Sequence, residues 1–126
     1  MTAPRFEAGP EAPGPRLQGF AGRGFVVDGK TYHCLLLTPE RADSWDPPPL
    51  AELEPRHVEP LLALAPPPEF LLLGTGAAQD FPPRAFVAAL EARGIGVEAM
   101  DSRAAARTWG LLRGEGRWIA AALMPL

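Results

Sequence analysis

The chain has 126 residues, of which 47% are hydrophobic, and this length is enough for one globular domain with a single core. Its formal charge is -3, with no dense cluster of cations, which excludes the class of proteins that bind nucleic acid by releasing counterions. The only cysteine, Cys34, excludes an internal disulfide and a cysteine-based zinc cluster. We therefore expect neither a metal nor a nucleic-acid partner.

Residues 1–16 contain four prolines and no apolar run. This composition is typical of a disordered or loosely docked tail, and it differs from a signal peptide or a basic amphipathic transit helix. No stretch of the chain approaches the roughly 20 apolar residues of a membrane span. The sequence thus predicts a cytoplasmic protein without a membrane span, in which residues 17–126 form one domain.

Two β-rich segments, residues 25–27 and 31–37, flank the dipeptide Asp28-Gly29. Such a pair of segments around Asp-Gly is a strong short-range signal for a β-hairpin. The next segment, residues 39–68, is rich in proline and acidic residues and is expected to be surface and connection. Within it, residues 56–65 have apolar side chains at helical spacing and predict one short helix. Trp45 is predicted to be either a lid on the edge of the core or an exposed anchor for a partner, and the lid is favoured.

A regular alternation fills the rest of the chain. It consists of a strand at 70–73, a helix from Pro82 to Gly94, a strand at 95–100, a helix from Asp101 or Ser102 to Leu112, and a strand at 118–123. Strands and helices that alternate with short connections predict parallel crossovers, and continuous apolar strands predict a sheet covered on both faces. The predicted fold is a single α/β domain with a central mixed sheet, an N-terminal β-hairpin, a parallel β-α-β-α-β C-terminal half, and helices that cover the sheet.

Several separated motifs, in order, resemble a known family. They are the segments at residues 70–76, 94–102, 106–109 and 115–123. They resemble the small Mth-type domain of unknown function, a family that includes a mitochondrial respiratory complex I assembly factor and an adipogenesis-associated protein. The resemblance covers roughly residues 17–126. It implies an α/β fold with a central mixed sheet, no established enzymatic activity, no cofactor, and a role in protein interaction or assembly.

The loop Gly74-Thr75-Gly76 follows a strand, as the first glycines of a dinucleotide-binding turn do. Asp101, at the end of the next strand, stands about where a ribose-binding acid would lie. Against this, Gln79 occupies the position of the third glycine, and Pro82-Pro83 removes two amide donors. We therefore favour a structural turn over a nucleotide site.

Glu98 lies in the middle of an apolar strand, where a buried carboxylate must be paired or neutralised. Arg107 and Arg117 are the expected partners, because arginine suits bidentate pairing with a carboxylate. One hypothesis is a structural ion pair, which we favour, and the other is a small ligand pocket near the carboxyl edge of the sheet. The residues of that candidate pocket are Gly74, Thr75, Gly76, Glu98, Asp101, Arg107 and Thr108.

Arg103 and Arg107 are four residues apart on one predicted helix, with Arg113 and Arg117 following, and together they could hold an anion or an acidic partner surface. Such residues are more often solvated or paired with nearby acids. His33 and Cys34 are neighbours on a predicted strand, so their side chains point to opposite faces and cannot act as base and nucleophile. No set of catalytic residues is found. The sequence predicts a non-enzymatic protein that interacts with another protein. The alternative is a protein that binds a small ligand or nucleotide through Gly74–Gly76, Asp101 and Arg107.

Overall fold

The structure is a computed structural model that describes residues 14–126. The predicted tail at residues 1–16 lies almost entirely outside the described residues. The strands of the described part are β1 (Leu17–Ala21), β2 (Gly24–Val27), β3 (Lys30–Tyr32), β4 (Leu35–Leu37), β5 (Ala42–Ser44), β6 (Phe70–Gly74), β7 (Gly96–Met100) and β8 (Ala120–Leu123). Its α-helices are α1 (Glu59–Leu62), α2 (Arg84–Glu91) and α3 (Ser102–Gly114), and short 3-10 helices span Leu50–Glu52 and Pro55–Val58.

The strands form two sheets. The larger sheet has the order β5-β4-β8-β6-β7, in which β6 is parallel to both β7 and β8, and β4 is antiparallel to β5 and β8. The smaller sheet is the antiparallel meander β1-β2-β3. The predicted α/β class and central mixed sheet are therefore confirmed.

The two crossovers of the C-terminal half run in opposite directions along the large sheet. The chain passes through α2 to the neighbouring strand β7, and it then returns through α3, across β6, to β8. Phe86 and Leu90 of α2 pack on the side of the sheet that carries Leu71 and Leu73. Because right-handed crossovers in opposite directions must lie on opposite faces, α3 occupies the other side.

The second face of the large sheet is covered by α3 and the meander together. Ala105, Ala106 and Trp109 of α3 share a core with Phe25 of β2 and Leu72 of β6. Small alanine side chains let the helix backbone approach the sheet closely, while Trp109, only 1% exposed, fills the remaining space. The molecule thus has three layers, with the five-stranded sheet in the middle.

The hairpin turn at Asp28-Gly29 is confirmed, but the strand expected over residues 31–37 is two strands. Positive φ angles of 50° at Asp28 and 81° at Gly29 form the turn that joins β2 to β3. The chain then bends at His33 and Cys34, leaves the meander, and continues as β4 in the large sheet. The burial pattern gives the reason: Leu35–Leu37 is buried at every position, as the interior of a covered sheet requires, whereas Lys30–Tyr32 is largely exposed.

The segment between β5 and β6 contains less helix than predicted. A 3-10 helix at Pro55–Val58 runs into the single turn α1, and Pro60 stands in the first turn, where its missing N–H breaks no hydrogen bond. Trp45 is the predicted lid: it packs against the core, and its indole N–H donates to the His57 carbonyl at 2.9 Å. Within residues 14–126, no helix has both the length and the apolar character needed to cross a membrane.

Candidate functional site

The loop Gly74-Thr75-Gly76 lies where open α/β sheets usually bind ligands. It follows β6, and Asp101 and Ser102 follow the neighbouring parallel strand β7. The helices that come after these two strands, α2 and α3, pack on opposite faces of the sheet. This arrangement is a topological switch point, at which a crevice normally opens between the carboxyl ends of adjacent strands.

Hydrogen bonds within the protein close this crevice. The Thr75 N–H donates to the Met100 carbonyl at 2.8 Å, and the Gly76 N–H donates to Ser102 Oγ at 2.9 Å. The Ser102 N–H donates in return to the Gly76 carbonyl at 2.8 Å. The amides that would approach a pyrophosphate are therefore already used to join the two loops.

The N-terminus of α3 is capped by the protein itself. Asp101 Oδ1 accepts a hydrogen bond of 2.9 Å from the Ala104 N–H, so a carboxylate stands at the positive end of the helix dipole. A phosphate at the same place would meet this negative charge. Asp101 is thus a helix cap, and one of its carboxylate oxygens is already engaged by the protein.

Thr75 orders the loop after β6. Its hydroxyl lies 2.7 Å from the Ala78 carbonyl and 3.2 Å from the Met100 carbonyl, and it accepts from the Asp80 N–H at 3.1 Å. The hydroxyl therefore has partners in its own loop and at the end of β7. These contacts fit the structural turn that we favoured from the sequence.

Glu98 is exposed, so the expected buried ion pair is wrong. β7 is the edge strand of the large sheet, and the Glu98 carboxylate reaches solvent instead of a covered interior. The salt bridges of the described residues do not include Glu98. The sequence could not show this, because the apolar pattern of β7 resembles that of a central strand.

Arg107 faces away from β7. Thr108, whose hydroxyl is 3.6 Å from Met100 Sδ, marks the side of α3 that faces that strand. Consecutive helical residues are about 100° apart, so Arg107 projects from a different side of α3, toward β1. There its guanidinium lies 5.9 Å from the ring centre of Phe20 in β1, and the guanidinium of Arg103 lies 4.6 Å from the same ring. The candidate pocket residues therefore divide between two sides of α3.

Arg117, the other partner expected for Glu98, pairs with Glu69. Its Nε and Nη2 donate to Glu69 Oε1 at 3.0 and 2.8 Å, and the Trp118 N–H donates to Glu69 Oε2 at 3.1 Å. The Arg117 hydrogen bonds, followed by that from Trp118, hold the pKa of Glu69 below its ordinary value. Sequence reasoning missed Glu69, because no local pattern links residues 48 positions apart.

An open cleft of about 520 Å³ lies beside the loop, on the side toward β8 and β4. Its walls include Thr75, Cys34 and the prolines at positions 47–49. Burial, followed by the negative charge of Asp46, raises the pKa of the Cys34 thiol. The thiol is therefore kept protonated, which is the opposite of what a cysteine nucleophile requires.

The described residues contain no group of side chains suited to bind a metal ion. Between residues 14 and 126, no three histidine, cysteine, aspartate or glutamate side chains lie close enough together to hold an ion. His33 is exposed at the bend before β4, and the only other histidine of the chain, His57, accepts a hydrogen bond from the Glu54 N–H through Nδ1.

A family model for a protein of unknown function, DUF498/DUF598, matches residues 17–124. The chain belongs to the DUF498/DUF598 family. This confirms the resemblance to the Mth-type domain, because a similar solved structure is described as a Mth938-like domain. The matched segment begins with β1 and ends just after β8, so it contains all three layers of the fold.

Relatives of this DUF498/DUF598 protein from Danio rerio and Bos taurus carry the same functional name. The name is NADH dehydrogenase [ubiquinone] 1 alpha subcomplex assembly factor 3, and the Danio rerio protein has 32% identity over 114 residues, which cover 89% of this chain. The chain spans 65% of the length of that relative. The shared part is therefore the domain described above, and the fish protein extends beyond it.

Solved structures agree with the three-layer fold. A crystal structure from Bordetella parapertussis has 34% identity and a TM-score of 0.82, with 93% of this chain and 100% of that chain covered. The Mth938-like domain from Bordetella pertussis, solved by NMR, has 29% identity and a TM-score of 0.75, with 88% and 85% covered. These similarities establish the architecture of the family, and neither description assigns a reaction.

Proposed function

We propose that this DUF498/DUF598 protein is a non-enzymatic interaction protein that acts in the assembly of a protein complex. The observation that carries the proposal is the match to an assembly factor across 89% of this chain. A match of this extent includes most of the three-layer domain, so an interaction made by that domain would be available to both proteins. The Thr75 and Gly76 amides donate to the Met100 carbonyl and to Ser102 Oγ, which argues against a ligand at the switch point and so favours this proposal over the alternative.

Affinity purification of the tagged, full-length protein from extract of its native organism tests this function. We expect one protein partner at a near-stoichiometric level, measured by quantitative mass spectrometry against the tag alone. A Trp109→Ala variant serves as the control for folding, because it empties the center of the α3 layer and should lose specific partners. If no protein is enriched over the tag alone in repeated experiments, the proposal is wrong.

A thermal-shift panel separates this function from ligand binding at residues 74–76. The panel contains nucleotides, inorganic phosphate and small carboxylates, each added to the untagged protein. A true ligand at a hundred times its dissociation constant would stabilise the fold by about 2.7 kcal/mol. We expect no shift, because the Thr75 and Gly76 amides already have acceptors within the protein. A saturable shift that Ser102→Ala changes would instead place a ligand at this loop.

A further inference from the structure

One surface combines two exposed guanidinium groups with a partly buried aromatic ring. It consists of Phe20 on β1 together with Arg103, Arg107 and Leu111 on α3, and we call it the arginine–phenylalanine surface. The three helical residues follow one another at intervals of four, so they form a single stripe along the outer side of α3. Leu111 is 59% exposed, which makes it one of the two large apolar side chains that stand out in solvent in the described part.

The ring at the center of this surface is fixed by the core. Phe20 meets Phe25 edge to face, with 6.0 Å between ring centers, and Phe25 is completely buried. The Arg103 guanidinium lies over the Phe20 ring at 4.6 Å, and that of Arg107 lies at 5.9 Å. Because such stacking restricts the arginine rotamers beforehand, less conformational entropy is lost when a partner binds.

Among the described residues, no acid forms an ion pair with Arg103 or Arg107. Within residues 14–126, the ion pairs use other cations, namely Arg41, Arg56, Arg93 and Arg117. The acid nearest to Arg103 along the helix, Asp101, is engaged as the cap of α3. Residues 17–32, which form the meander beside α3, add two bases against one acid. A complementary partner must therefore supply negative charge.

We propose that the arginine–phenylalanine surface is the docking site for an acidic segment of a protein partner, a proposal that rests on the function proposed above. Side chains four apart on a helix are about 5–6 Å apart at Cβ, and this spacing suits two carboxylates one helical turn apart on the partner. Leu111, one turn further along, takes an apolar side chain of the same segment. Arginine and aromatic side chains are also the types that contribute most to protein interfaces.

The charge balance favours a protein partner over nucleic acid or a membrane. The chain as a whole carries a net charge of -3, and residues 40–59 hold six acids against two arginines. A polyanion would be repelled by these acids, whereas a short acidic segment needs only the local surface. A second groove, about 540 Å³ beside Phe81, has one base, Arg84, and one acid, Glu91, among apolar side chains, so it has no excess of positive charge that would select an acidic segment.

A selection from a display library of random 16-residue peptides tests this site without a presumed partner. The target is the full-length protein, and fluorescence anisotropy then measures the binding of individual selected peptides. We expect sequences enriched in aspartate and glutamate, and we expect the double variant R103E/R107E to bind them about tenfold or more weakly. A single-stranded oligonucleotide and phosphatidylserine vesicles are the competing probes.

The matched control is the double variant R56E/R84E, which makes the same change of net charge at two other exposed positions. Arg84 borders the groove beside Phe81, so this control also tests the rival surface. Circular dichroism and thermal unfolding confirm that each variant is folded. The proposal is overturned if the selected peptides show no acidic excess, if both double variants weaken binding equally, or if the oligonucleotide or vesicles bind more tightly than the peptides.

The same variants separate this proposal from the proposed function. If R103E/R107E still captures the native partner at the level of the unmodified protein, the assembly function stands and this docking site is wrong. If acidic peptides bind at this surface while native extract yields no enriched protein, the docking site stands and the assembly function fails.

Discussion

Gly74 is required at the carboxyl end of β6 because two neighbouring elements approach its backbone. A Cβ atom at this position would lie 2.8 Å from Ser102 Oγ, 2.9 Å from Ser102 Cα and 2.9 Å from Leu123 Cδ2. The missing side chain thus lets the start of α3 pack directly onto the sheet. The glycine that resembled part of a phosphate loop has a packing role.

Substitution of Gly74 with alanine should therefore destabilise the protein. We expect a loss of about 1–3 kcal/mol in the free energy of unfolding, since a methyl group is forced into filled space. Urea denaturation measures the loss. The control is Gly96→Ala, whose Cβ would meet only Phe70 Cβ at an ordinary 3.7 Å. Equal losses in the two variants would show that packing at Gly74 is not the cause.

The pairing of Glu69 with Arg117 makes a pH-dependent contribution to stability. The pKa of Glu69 is lowered in the folded state, so its contribution is complete above the ordinary value of 4.5 and is lost as the pH falls through the lowered value. At pH 7, the midpoint of thermal unfolding should be higher for the wild type than for Glu69→Gln. We expect the difference to disappear in strong acid. A difference that is independent of pH would contradict this charge effect.

At the scale of elements, α3 connects most parts of the candidate site. Its N-terminus is joined to the β6 loop through Ser102, its buried side packs on the large sheet, and its exposed stripe carries Arg103 and Arg107. The side toward β7 contains Thr108. The direction of each side chain around this one helix determines which residues can act together.

The cap of α3 can be tested by two substitutions at Asp101. Replacement with alanine removes the acceptor of the Ala104 N–H and should cost about 1 kcal/mol of stability. Replacement with asparagine keeps an oxygen at the same place and should cost much less. Chemical denaturation of both variants gives the comparison. Equal losses would indicate that the negative charge matters more than the hydrogen bond.

At the scale of the whole molecule, charge is divided between the two outer layers. Six acids and two arginines lie in residues 40–59, whose Leu53 and Val58 pack on the α2 side of the sheet. Arg103 and Arg107 lie on the α3 side, beside the meander. This separation of negative and positive charge would orient a charged partner before contact. Added salt would weaken the effect, because it screens the charges.

The negative charge of Glu98 opposes the association of one molecule with another through β7. It stands at the middle of edge strand β7, and charged residues on edge strands oppose pairing with strands of other molecules. We expect Glu98→Val to retain its stability and to self-associate at high concentration, as measured by sedimentation velocity. Glu52→Val is the control, because it makes the same chemical change at an exposed position outside any strand. Equal association of the two variants would exclude the edge strand as the cause.

The local pattern of the sequence was sufficient to predict the parallel strands, the helices between them and the Asp28-Gly29 turn. Each of these elements is determined by residues close together in the sequence. The signals are the spacing of apolar side chains, a capping side chain, a proline or glycine at the boundary, and a positive φ angle in the turn. The cap at Asp101 and the start of α2 directly after Pro83 follow from such short-range chemistry. The fold class could be predicted because these elements, placed in order, allow few topologies.

The candidate site depended on contacts between distant parts of the chain. Whether β7 is an edge or a central strand follows from where β8 inserts, and β8 lies beyond it in the sequence. That position exposes Glu98, while the packing of β1 beside α3 brings Arg107 to Phe20. A one-dimensional pattern specifies which side of an element is buried, but only the tertiary structure specifies which neighbour each side meets.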